Sequence, residues 1–151
     1  MNGTSRFLQA LSRMSRVAID SMVFIYHFEE DERYLLLTTA LFDRMENGQL
    51  AAATSIITTA EIFSHQKVIK SEDLSAVYSH VFSMWPGLTI VSPDMDEAQL
   101  AGAIRVQYGL RLPDAFQVTA GLKFGAQALI TNDERFRRVK QPKVMLFDDY
   151  L

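Results

Sequence analysis

The sequence predicts an α/β domain: a three-layer α/β/α sandwich around a central, mainly parallel sheet of about five strands. Three observations carry this. Short apolar runs alternate with longer stretches whose apolar residues recur at helical spacing. No two-residue hairpin signal joins neighbouring runs, so the strands are expected to run parallel. Acidic residues fall where an apolar run gives way to a turn or helix, and right-handed crossovers gather such strand ends at one edge.

Taken in order, the first run is Val17 to Ile19, followed by Ser21 to Phe28 with Met22, Val23, Ile25 and Tyr26 at helical spacing. The acidic Glu29-Glu30-Asp31-Glu32 suits a solvated turn, and Tyr34 to Glu46 reads as a helix stopped by Asn47-Gly48. Leu50 to Thr54 is a weak strand, mostly alanine, and Ser55 or Thr54 can cap the helix that follows. Ser71 starts a helix to about Met84, ended by Trp85-Pro86-Gly87. Leu88 to Val91 is β-branched and apolar; Ser92-Pro93-Asp94 opens a helix closed by Gly109. Pro113 fits a first helical position, giving Pro113 to Phe124 with Gly125 as its stop. Ala126 to Ile130 is the fourth strand, Asp133 to Val139 a short helix, and Val144 to Phe147 the fifth strand.

Residues 1–16 are expected to form a loosely attached, flexible N-terminal extension, with residues 17–151 as the folded domain. The competing reading is a short amphipathic helix carrying Phe7, Leu8, Leu11 and Met14.

The chain has 151 residues, 48% hydrophobic and 22% charged, which suits one globular domain and excludes disorder. It has no cysteine, which excludes disulfides and thiolate metal sites and fits a cytoplasmic location. No apolar run approaches the ~20 residues that a membrane-spanning helix needs. A net charge of −3 gives no overall attraction to nucleic acid, so such a role requires a local basic patch.

Four acids are singled out: Asp20, Glu61, Asp114 and Asp133. A carboxylate at the end of a buried strand costs desolvation and contributes nothing to packing. Each has a bland explanation, as a helix cap or dipole partner, and Glu61 inside an apolar helix is the hardest to explain that way. Brought together they would repel one another unless they shared a cation. Hard divalent ions such as Mg²⁺ or Mn²⁺ prefer such oxygen ligands, and an ion-bound water is a nucleophile for phosphodiester hydrolysis.

These residues resemble the motifs of the PIN domain family, the nuclease fold of VapC-type toxins. The resemblance lies in Val17-Ala18-Ile19-Asp20-Ser21, Thr58-Thr59-Ala60-Glu61-Ile62, Leu112-Pro113-Asp114-Ala115 and Leu129-Ile130-Thr131-Asn132-Asp133 followed by Phe136. It implies a metal-dependent endoribonuclease with Asp20, Glu61, Asp114 and Asp133 as catalytic and metal-binding acids, supported by Ser21 and Thr131. It also implies Mg²⁺ or Mn²⁺ as cofactor, an RNA substrate, a cognate antitoxin protein and a homodimer. The alternatives are a binding module without cleavage, or a PIN nuclease of RNA processing outside any toxin pair.

RNA needs cations beside such a site. Arg105, Arg111, Lys123, Arg135, Arg137 and Arg138 are the candidates, with arginine favoured for its bidentate geometry. A groove for a partner helix is expected if aromatic and aliphatic residues remain exposed on the first two helices.

Overall fold

The computed structural model describes residues 1–151 and carries the predicted alternation. Its strands are β1 (Arg16–Ile19), β2 (Ala51–Ser55), β3 (Leu88–Val91), β4 (Ala128–Thr131) and β5 (Lys143–Leu146). Its α-helices are α1 (Gly3–Ser12), α2 (Ser21–Phe28), α3 (Leu35–Glu46), α4 (Ile56–Phe63), α5 (Gln66–Ile69), α6 (Glu72–Met84), α7 (Met95–Tyr108) and α8 (Leu112–Phe124). All strand pairs are parallel, in the order β3-β2-β1-β4-β5. Val17 at the centre stands opposite Ala52 on one side and Ala128 on the other.

Alternation along each strand divides the core. Val17, Ile19, Ala52, Ala128, Ile130 and Met145 face one layer, built from α1, α2, α3 and α6 around Phe24, Leu41, Phe42 and Tyr78. Ala18 and Leu129 face the other, with Ile104 of α7, Ala115 and Val118 of α8, and Phe136. The contacts between the second layer and the sheet include small residues. Ala53 meets Ala120 in a separate buried cluster, and a Cβ added to Gly121 would stand 3.2 Å from that of Ala18.

The stops read from the sequence work as expected: Gly109 and Gly125 end α7 and α8 in the left-handed region, at φ 63° and 73°. Some elements differ from expectation. Residues Glu134–Arg138 form a 3-10 helix capped by Asp133, and a second 3-10 turn spans Phe147–Tyr150. Neither this turn nor the four-residue α5 is long enough to produce a periodic pattern.

The expectation of a loose N-terminal extension requires correction. Gly3–Ser12 form a helix capped by Asn2, and its Phe7 and Leu11 are fully buried in the main core. Phe7 meets the rings of Phe147 and Tyr150 edge-on at 5.5 and 5.2 Å. Arg6 donates to the Asp149 carbonyl, and a Cβ on Gly3 would collide with the Tyr150 carbonyl oxygen at 1.8 Å. The helix is held by the last turn of the chain, a partner that lies too far away in sequence for periodicity to reveal.

Candidate functional site

The strand order reverses beside β1, where the chain has built outward through β2 and β3 and returns to β4 on the other side. In open parallel sheets this switch point leaves a crevice at the carboxyl ends of the strands. Asp20 immediately follows β1 and caps α2; Asp133 follows β4 by two residues. Glu61 arrives on α4 after β2, and Asp114 in the first turn of α8.

Asp20 is buried, at 5% exposure. Its Oδ1 accepts from the Ser21 backbone N–H at 2.8 Å, and its Oδ2 accepts from the Thr131 hydroxyl at 2.7 Å. Both bonds favour the ion, but burial outweighs them and pushes the carboxyl up to about 6, with Asp114 and Glu61 adding like-charge repulsion. The two expected supporting residues therefore touch Asp20, Ser21 through its backbone. Thr131 also accepts from the Asp133 backbone N–H at 3.1 Å, so one hydroxyl links both strand ends.

Asp114 is 4% exposed and accepts both contacts of the Arg111 guanidinium, at 3.1 and 3.3 Å. Arg111 also lies 3.9 Å from Glu61, whose carboxyl is raised by burial first and by Asp114 second. Arg135 grips Asp133, at 2.6 Å from Nη2 to Oδ2, and stands 3.9 Å from Asp114. That guanidinium holds the Asp133 carboxyl below its ordinary value. The result is a chain of alternating charge, Glu61–Arg111–Asp114–Arg135–Asp133, beside an Asp20 that has no cation in salt-bridge contact.

The other predicted cations lie elsewhere. Lys123 is at the far end of α8, ~13 Å along the axis from Asp114 at 1.5 Å per residue, with its ammonium 2.5 Å from the buried Glu97. Arg137 joins Glu134 to Asp149, and Arg138 donates to the carbonyls of Tyr108 and Gly109 at the end of α7. Arg105 is exposed on α7. Of the six, only Arg111 and Arg135 reach the acids. Sequence reasoning passed over Gln117, a buried polar residue one turn after Asp114. Its signal was available: a carboxamide three and four residues before Ala120 and Gly121, on the small-residue stripe of the same helix.

As the side chains stand, no three acidic groups converge closely enough to hold one metal ion. Two guanidinium groups occupy oxygens of Asp114 and Asp133. The chemistry nevertheless fits a hard cation. All donors are oxygen, and Asp20 is buried beside like charges with only neutral hydrogen-bond partners. Arg111 and Arg135, which hold these acids, are 55% and 44% exposed and border solvent. The one sizeable cavity, about 540 Å³, is lined by Phe63, Val68, Ile69 and α6 residues and by none of the four acids.

A parallel α/β sheet with acids drawn to its switch point defines a class of fold and site. The PIN domain family model matches residues 17–142, so the chain belongs to the PIN domain family. No curated protein matches the chain by sequence. Among solved structures, the fold is similar to a chain of the DNA-bound VapBC from Salmonella typhimurium: TM-score 0.64, 17% identity, covering 89% of this chain and 99% of that one. A chain of VapBC2 from Rickettsia felis, bound to a promoter DNA fragment, gives 0.60 at 19% identity, with 87% and 98% covered. A chain of FitAcB from Neisseria gonorrhoeae gives 0.62 at 17% identity, with 87% and 97% covered.

Proposed function

We propose that this chain is a divalent-metal-dependent endoribonuclease and the toxin of a toxin–antitoxin pair. The observation that carries the reading is Asp20: a buried carboxylate at the switch point, next to Asp114 and Glu61, without a cation in contact. The family membership supports nuclease chemistry, and the similar folds seen in toxin–antitoxin complexes support an antitoxin partner.

Asp20, Asp114 and Asp133 would hold Mg²⁺ or Mn²⁺. When bound, such an ion makes a water nucleophilic near neutral pH and offsets charge developing on the scissile phosphate. Glu61, a third exposed, is the acid best placed to accept a proton from an attacking water. Thr131 fixes the Asp20 carboxylate, and Arg111 and Arg135, released from the acids, bind phosphate oxygens. The RNA substrate, cytoplasmic setting and homodimer belong to the same proposal. No helix is long and apolar enough to cross a membrane.

Cleavage of RNA oligonucleotides by the chain and by Asp20→Asn tests this. Cleavage that needs Mg²⁺ or Mn²⁺, stops in EDTA and falls to background in Asp20→Asn is expected. Equal activity of the two proteins, or cleavage persisting in EDTA, would refute it.

A further inference from the structure

Gln117 is 1% exposed and makes four hydrogen bonds to two segments of the chain that α8 crosses. Its Nε2 donates to the Ile19 carbonyl at 2.9 Å, immediately before Asp20. Its Oε1 accepts from the Ser55 backbone N–H at 3.1 Å, the Thr54 hydroxyl at 3.1 Å and the Thr58 hydroxyl at 2.6 Å. Ser55 is the cap of α4, and Thr58 precedes Glu61 by three residues on the same helix face. Gln117 itself follows Asp114 by three residues on α8.

The amide has only one workable orientation. The Ser55 N–H can only donate and the Ile19 carbonyl can only accept, so turning the amide over would set donor against donor and acceptor against acceptor. All its partners are buried, so no solvent could substitute.

We propose that Gln117 is a positioning residue, whose carboxamide locks the elements bearing Asp20, Glu61 and Asp114 into register for ion binding. This rests on the metal-dependent reading above. Helix packing alone does not call for a polar group on this stripe: Ala120 and Gly121, the next residues along it, pack on the strands without one. A buried amide is retained at a desolvation cost. One anchor point adjoins Asp20, another lies three residues from Glu61, and Gln117 itself lies three residues from Asp114, so small changes in its length or polarity move the acids rather than distant core.

The test measures Mn²⁺ affinity by calorimetry and RNA-cleavage kinetics on the full chain, its Asp20→Asn variant, Gln117→Leu, and Thr58→Val, which removes only one hydrogen bond should the first variant fold poorly. Gln117→Leu is expected to weaken Mn²⁺ binding about tenfold or more, as outer-shell losses do, and to lower kcat with KM little changed. Thr58→Val is expected to show a smaller fall, and the double variant no more than Gln117→Leu alone. Leu11→Ala, a core truncation in α1 on the other side of the sheet, serves as the control for lost stability and is expected to keep its Mn²⁺ affinity. Wild-type Mn²⁺ affinity in both Gln117→Leu and Thr58→Val, with binding still dependent on Asp20, overturns the positioning role alone. An equal fall in Leu11→Ala overturns it too, by showing ordinary destabilisation. Absence of Asp20-dependent Mn²⁺ binding in the unaltered chain overturns the metal reading and the positioning role together.

Discussion

Asp20 is a residue whose chemistry and stability pull in opposite directions. Burial raises its carboxyl from 3.8 to about 6 in the native state, with Asp114 and Glu61 adding to the rise. The native protein therefore holds this proton more tightly than the unfolded chain does. The contribution is fully favourable below about pH 4 and is lost as pH rises through about 6. Above that, the metal-free protein carries a cost on the order of 2–3 kcal/mol for the buried ion. Asparagine can keep both contacts, accepting from Ser21 and donating to the Thr131 hydroxyl, so Asp20→Asn is expected to stabilise the metal-free protein at pH 7.5 by on the order of 1–3 kcal/mol. Near pH 4 the gain should vanish. Urea denaturation in chelator at the two pH values measures it; a loss at pH 7.5, or the same gain at both, would contradict the account. Asp133 behaves in the opposite sense, because Arg135 favours its ionised form.

Among the elements, those with a full period or a hard stop were legible. Ser21–Phe28 and Leu88–Val91 fall where the pattern predicts, and α8 runs from the proline at its start to the glycine after its end. The four acids stand out in the sequence only as a set, through their shared placement after strands, because each alone has an explanation as a helix cap or dipole partner. Which cations accompany them was not legible. Six basic residues look equivalent in sequence, yet the turn after Asp133 sends Arg135 back to the acids and Arg137 out to Asp149. Helix α1 was misjudged for a related reason: its apolar stripe is short, and the Phe147–Tyr150 turn that covers it is the last element of the chain. Truncating Phe7 empties a fully buried site, so Phe7→Ala is expected to cost about 3–5 kcal/mol. Chemical denaturation reads this directly. A change within about 0.5 kcal/mol, the scale of a surface substitution, would restore the loose-extension reading.

At the scale of the whole molecule, a chain of net charge −3 concentrates negative charge at one crevice and shields it with its own arginines. An ion that binds only the folded state stabilises it by mass action, by about 2.7 kcal/mol at a hundred times its dissociation constant. Mn²⁺ is therefore expected to raise the thermal midpoint of the wild-type chain and leave that of Asp20→Asn unmoved. Differential scanning calorimetry with and without the ion checks this, and equal shifts in both proteins would place the binding elsewhere.

The seam of Ala18, Ala53, Ala120 and Gly121 has a mechanical consequence. Because so little bulk separates α8 from the strands, a carboxamide of ordinary length can span the gap and reach the backbone beside Asp20. On the positioning role proposed for Gln117, side chains that carry no charge at all would set the spacing of the acidic crevice. A valine at position 18 would act as a wedge, prising the helix upward and pulling the acids out of alignment while leaving every one of them in place.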